Sequence, residues 1–202
     1  MIAIVDYGMG NIHSVKKALE AMGGKTVVTN KHADLKKAAK IVLPGVGAFG
    51  DAVRELEKLG LAEAIREQIR DKKIFLGICL GMHLLFDTSE ESVGLKGLGV
   101  FAGGVKKFSA ADHLKVPHMG WNQIEFRNTA CPLFKGLADD SSVYFCHSYY
   151  PQPKDTGLVA AATDYGIEFA SILWEDNVFA TQFHPEKSQG IGLKILENFV
   201  KL

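Results

Sequence analysis

The sequence predicts an α/β protein with a mostly parallel sheet flanked by helices and continued by an antiparallel extension. Three observations carry this reading. Short, continuous apolar runs alternate with helical periodicity through the first half of the chain, as expected for strands covered on both faces. From about Thr88 the pattern changes to short strands separated by Gly, Pro and Asn/Asp turns. The 202 residues, 47% hydrophobic and 23% charged, suffice for one large core, since a chain of this length hides roughly 70% of its unfolded surface. No internal repeat, low-complexity tract or linker divides it, so residues 1–202 read as a single domain.

Each element follows from apolar spacing. Residues 2–5 form a strand, and Ile12, Val15, Ala18, Leu19 and Met22 mark one face of a helix stopped by Gly23-Gly24. Residues 26–28 read as a second strand, 35–39 as a short helix, and 41–43 as a third strand closed by Pro44. Residues 51–70 read as helix with an interruption near Gly60, 74–78 as a buried strand, and 80–86 as the helix it feeds. Further on, residues 143–146, 158–163, 170–174 and 178–182 read as antiparallel or mixed strands. A terminal helix over 191–200 carries its apolar residues at Ile191, Leu193, Ile195, Leu196, Phe199 and Val200.

Composition excludes several functions. Lys+Arg and Asp+Glu are both 23, so no global field exists to hold nucleic acid or an anionic membrane. Cys79, Cys131 and Cys146 are an odd count without C-x-x-C spacing, which argues against a disulfide framework and a structural zinc site and fits a reducing cytoplasm. The N-terminus lacks a charged segment followed by a long apolar one, and no stretch reaches the roughly 18 apolar residues of a membrane span. With no P-loop, dinucleotide-binding glycine fingerprint or metal-ligand cluster, neither a cofactor nor a metal is expected.

The chemistry concentrates at Gly77-Ile78-Cys79-Leu80-Gly81, a G-x-nucleophile-x-G pattern between a predicted strand and a predicted helix. The glycines relieve crowding at a sharp turn, and the following helix N-terminus offers positive potential that favours a thiolate. Cys131 and Cys146 lack such flanks and read as small buried hydrophobes. A cysteine nucleophile needs a base, and the seven histidines stand at 13, 32, 83, 113, 118, 147 and 184. His184 follows a predicted strand in His184-Pro185-Glu186, where Pro185 forces extended backbone and Glu186 can orient the imidazole. Leu80 N–H is one oxyanion donor. Gly47, in the Pro44-Gly45-Val46-Gly47 turn after the third strand, is the candidate for the second.

With these motifs, and Phe183 before His184, the chain resembles the class I glutamine amidotransferases, whose Cys-His-Glu triad hydrolyses glutamine to glutamate and ammonia on a flavodoxin-like fold. Asp6-Tyr7-Gly8-Met9-Gly10-Asn11, Pro44-Gly45-Val46-Gly47-Ala48-Phe49, Pro117-His118-Met119-Gly120-Trp121-Asn122, His147-Ser148-Tyr149 and Lys187-Ser188 narrow the resemblance to the glutaminase subunits of imidazole glycerol phosphate synthase. It implies L-glutamine as substrate, Cys79 as nucleophile, His184 as proton shuttle, and Glu186 as the group that holds His184. It also implies Gly47 and Leu80 at the oxyanion, and His83, His147, Ser148 and Tyr149 around the substrate. His118, Met119, Trp121, Asn122 and Lys187 would meet a cyclase (β/α)8-barrel subunit in a heterodimer. His83 departs from the family, which usually has glutamine there; imidazole offers one donor and one acceptor where an amide offers more.

Three other readings compete. A glutaminase serving another pathway is opposed by residues 117–122, and a non-catalytic regulatory subunit by the intact Cys79, His184 and Glu186. A thiol redox sensor would need a resolving cysteine beside Cys79. Without the resemblance, residues 117–122 would read as a loop with a half-buried Trp.

Overall fold

The computed structural model describes residues 1–109 and 114–202, so His113 lies outside the described residues. The first half holds strands β1 (Ile2–Val5), β2 (Thr26–Thr29), β3 (Lys40–Gly45) and β4 (Ile74–Cys79). Between them run helices α1 (Ile12–Ala21), α2 (His32–Lys37), α3 (Phe49–Lys58) and α4 (Leu61–Arg70). The interruption near Gly60 is a true break: Gly60 has φ +67°, a left-handed turn that glycine adopts without a Cβ penalty. The short helix begins three residues earlier than its apolar spacing suggests. Pro44 does not close β3 either, because Pro44 and Gly45 still pair in register with Ile78 and Cys79 of β4.

The second half is richer in strand than expected. After the one-turn helix α5 (Leu80–His83) come β5 (Phe86–Ser89), β6 (Phe101–Lys107), β7 (His118–Phe126), β8 (Ser141–His147) and β9 (Tyr149–Pro153). They are followed by β10 (Val159–Asp164), β11 (Glu168–Glu175), β12 (Val178–Thr181) and the terminal helix α6 (Gln189–Lys201). Among the described residues one sheet runs β2-β1-β3-β4-β12-β11-β10-β7-β8, and a smaller one runs β5-β6-β9. From β2 to β12 the pairings are parallel; from β12 to β8 they are antiparallel.

Strand alternation divides the core into two layers. Ile2, Ile4, Val42, Leu76, Ile78 and Phe179 face Val15 and Leu19 of α1 and Ile195, Leu196 and Phe199 of α6. Ala3, Val5, Ile41, Leu43, Phe75 and Ala180 face Leu35, Leu56, Leu61 and Ile65 of α2, α3 and α4. This sandwich aligns the C-terminal ends of β3, β4 and β12 side by side, the edge at which ligands bind in open α/β sheets.

Candidate active site

Cys79 is the last residue of β4 and has φ +54° and ψ −108°, a strained conformation for a residue with a Cβ. The flanking glycines explain how the turn fits. A Cβ on Gly81 would collide with the Leu43 carbonyl oxygen of β3, and one on Gly77 would lie 2.7 Å from the Gly81 oxygen. The helix that follows is shorter than expected, one turn rather than seven residues. The Leu84 carbonyl accepts from Leu98 N–H at 2.7 Å, and the Leu85 carbonyl accepts from Val100 and Phe101 N–H at 2.8 and 2.9 Å. With those acceptors taken from outside, the chain leaves the helix and Phe86 enters β5. One turn carries little macrodipole, so stabilisation of a Cys79 thiolate has to come from side chains.

His184 reaches the same point from β12, which pairs with β4 through Thr181 and Ile78. The His184 backbone N–H donates to the Tyr144 carbonyl at 3.0 Å, and Ser188 Oγ donates to the His184 carbonyl at 2.7 Å. Both clamp the turn that Pro185 begins. His184 Nδ1–H donates to Glu186 Oε1 at 2.9 Å, with both side chains buried. Burial alone would lower the imidazole pKa, yet the hydrogen bonds and opposite charges of Cys79 and Glu186 outweigh it and raise the value well above that of a free histidine. The site therefore favours a protonated imidazole beside the sulfur.

A cleft of about 330 Å³ opens over these groups, lined among others by Gly47, Leu80, His83, Ser148 and Tyr149. Gly47 has φ +98°, so the glycine turn brings bare backbone to the cleft beside Cys79 and Leu80. His147 also lines the cleft, but its ring is used internally. Nδ1–H donates to the Tyr149 carbonyl at 2.8 Å, which leaves Nε2 to accept from His118 Nδ1–H at 3.0 Å. Its contribution is a fixed Ser148-Tyr149 turn. Burial pushes both rings toward the neutral form, His118 down to about 4 and His147 well below its ordinary value.

The structure divides the other expected residues. His83 lines the cleft but is buried, with Nε2–H donating to Gln182 Oε1 at 2.7 Å. Gln182 went unnoticed in the sequence, although it stands two residues before His184. Residues 117–122 are not a loop: His118 to Asn122 belong to β7, and alternation sends Met119 and Trp121 outward, 61% and 50% exposed, while His118 is buried beneath. His118 is therefore no part of that surface. Trp121 borders a surface hollow with Ser188, Gln189 and Gly190, next to exposed Lys187. Cys131 is buried, and burial pushes its thiol up to about 11. Cys146, expected in the core, is only partly buried and lines the cleft, its carbonyl 4.0 Å from Cys79 Sγ. Among the described residues no group of three or more His, Cys, Asp or Glu side chains is gathered to hold a metal ion.

A strained cysteine elbow, an imidazole held by a buried carboxylate and the doubly wound sheet together describe an amidotransferase of the cysteine type. Residues 3–202 match the family described as glutamine amidotransferase class-I, and the chain belongs to that family. Solved structures agree on the fold. One described as a glutamine amidotransferase superposes with a TM-score of 0.77 at 18% identity, each chain covered in full. PurLQS from Thermotoga maritima gives 0.73 at 19% identity, covering 99% of this chain and 97% of that one. Within the family, the chain is 49% identical over 200 residues to the imidazole glycerol phosphate synthase subunit HisH of Acinetobacter baylyi, covering 99% of this chain and 97% of the relative. It is 50% identical over 202 residues to HisH of Methanocaldococcus jannaschii, with both covered in full. It belongs with the HisH subunits.

Proposed function

We propose that this chain is the glutaminase subunit of an imidazole glycerol phosphate synthase, hydrolysing L-glutamine and passing ammonia to a cyclase (β/α)8-barrel subunit. The observation that carries this is the Cys79 elbow facing the Glu186-held His184 at the floor of a cleft large enough for one amino acid. The Cys79 thiolate attacks the side-chain carbonyl carbon of glutamine, and the oxyanion forms opposite the N–H groups of Leu80 and Gly47. As the tetrahedral species collapses, His184 gives its proton to the amide nitrogen, which leaves as ammonia. His184, now neutral, takes a proton from water. The hydroxide attacks the thioester carbon, and the sulfur leaves as thiolate beside the restored imidazolium.

Glutamine's α-amino and carboxylate groups lie along the Ser148-Tyr149 turn. Met119, Trp121 and Lys187, all exposed, are the surface for the cyclase; Asn122, expected with them, is half-buried on the His118 side of β7 and donates its amide to the Asp164 carbonyl at 2.8 Å. The whole chain works as one domain in the cytoplasm; among the described residues no helix is long and apolar enough to cross a membrane.

The deciding experiment measures glutamate and product formation by the assembled pair, with glutamine or with ammonium salt at alkaline pH. Cys79→Ala should lose the glutamine reaction and keep the ammonia one, because free ammonia needs none of this chain's chemistry. Loss of both in a properly assembled complex would overturn the division of labour. Glutamine turnover should also rise when the cyclase and its nucleotide bind, the glycines of the Pro44–Gly47 turn permitting a peptide flip that aims the oxyanion donor; equal rates without the partner would remove that gating role.

A further inference from the structure

We propose that the Gln182 side-chain amide is a further catalytic group, donating a hydrogen bond to the Cys79 thiolate, and that His83 is the positioning residue that aims it. Gln182 is fully buried, in the segment between β12 and His184, and its backbone N–H is fixed by the Ser171 carbonyl at 2.9 Å. A buried amide needs partners for both ends. Oε1 accepts from His83 Nε2–H at 2.7 Å, and Nε2 points at Cys79 Sγ, 3.9 Å away. Because a carboxamide oxygen can only accept, a proton on His83 Nε2 turns Oε1 of the amide toward His83 and its N–H toward the sulfur. His83 suits the task because burial lowers its pKa to about 4 despite the Gln182 bond, so the ring stays neutral with a single proton, which the proposal places on Nε2. An N–H facing the sulfur stabilises the thiolate more than the thiol, and stabilises it again as the leaving group when the thioester is cleaved.

The inference rests on Cys79 being the nucleophile proposed above. Other groups also face the sulfur: the His184–Glu186 pair after β12 and Tyr7 after β1, with His147, Glu91 and Lys187 in the cleft wall. The test must therefore separate Gln182 from them.

Alkylation of Cys79 by iodoacetamide in the full-length chain, followed by peptide mapping from pH 5 to 9, reads thiolate directly. Gln182→Leu should move the alkylation profile to higher pH by about one unit, which slows alkylation about tenfold on its rising, acidic limb. His83→Phe should move it in the same direction by less, and the double variant no further than Gln182→Leu alone. His83→Gln, which can present an N–H at the position of Nε2, should recover most of the rate. An unchanged profile in Gln182→Leu, or additive effects in the double variant, would overturn the proposal. Gln182→Met, closer in volume, serves if the leucine variant does not fold. The unmodified chain gives an independent answer by nitrogen NMR: His83 should be neutral with its proton on Nε2 between pH 5 and 9, and a proton on Nδ1 would overturn the inference. Glutamate release by the unmodified complex separates the two readings. A complex that hydrolyses glutamine while Gln182→Leu alkylates normally loses only this proposal. One that fails to hydrolyse it while the profile still shifts loses only the glutaminase reading.

Discussion

At the scale of single residues, three thiols face three environments, and that difference is testable. Cys79 sits beside an imidazolium, Cys131 is buried in the core with its thiol pushed up to about 11, and Cys146 shows the cleft its backbone. A glutamine-mimicking chloro-ketone or diazo-ketone should label Cys79 and spare the other two, since only a thiolate reacts readily. Equal labelling of all three, read by mass spectrometry, would contradict a specially activated nucleophile. The triad members should also differ in weight. Cys79→Ala and His184→Ala should each lower glutamine turnover by about 10⁴ to 10⁶. Glu186→Gln should cost less, because an amide oxygen in place of Oε1 still accepts from Nδ1–H but no longer offsets the imidazolium charge. Steady-state assays of glutamate release rank them.

At the scale of elements, two close fits hold the site and a helix in place. The elbow works only because β4 and the turn after it approach β3 without an intervening side chain, so Gly81→Ala drives a methyl group into the Leu43 carbonyl. Overpacking of this kind costs about 3 kcal/mol or occasionally more, and the prediction is a lowered urea midpoint together with lost glutaminase activity. The C-terminal end of α6 is held differently. Lys40 begins β3 and is buried, and its ammonium donates to the carbonyls of Phe199 and Val200 at 2.8 and 2.6 Å. Those carbonyls have no partner within the helix, and a cation there also meets the negative end of the dipole. Lys40→Met should keep the fold and lower its stability by about 1–3 kcal/mol in urea titration, while the triad's turnover stays intact.

At the scale of the whole molecule, burial of neutral histidines links stability to pH. His83 and His118 are lowered to about 4 and His147 well below its ordinary value, mainly by burial, whereas in the unfolded chain each titrates near 6.5. As pH falls below about 6.5 the unfolded chain gains protons that the native one refuses. Stability then drops by up to about 1.4 kcal/mol per pH unit for each histidine. His184 acts with the opposite sign: its raised pKa adds stability that is fully present below 6.5 and disappears only as pH rises through the native value, so it leaves the acidic slope unchanged. Urea unfolding at pH 7, 6 and 5 should show the acidic decline, and His118→Gln should remove about one histidine's share of it. An equal slope in that variant would mean His118 is not the buried neutral base inferred.

The sequence by itself determined the doubly wound half of the fold and singled out Cys79, His184 and Glu186 as the proposed triad. Continuous apolar runs at residues 2–5, 41–43 and 74–78 can only be buried on both faces, and two glycines around Cys79 are required by sterics wherever that turn is packed. These are local constraints, readable from spacing. What it left open depends on distant partners. Leu80 to Phe86 has the spacing of a helix, but the N–H groups of Leu98, Val100 and Phe101 take its last carbonyls and end it after one turn. Residues 117–122 look like a loop because Pro117, Gly120 and Asn122 weaken the strand pattern, yet pairing of residues 118–124 with residues 141–147 makes them part of a strand. The roles of His83, His118 and Gln182 were invisible for the same reason. A histidine's tautomer and an amide's orientation are set by whichever donor or acceptor the fold brings within 3 Å, and only the tertiary structure decides which one that is.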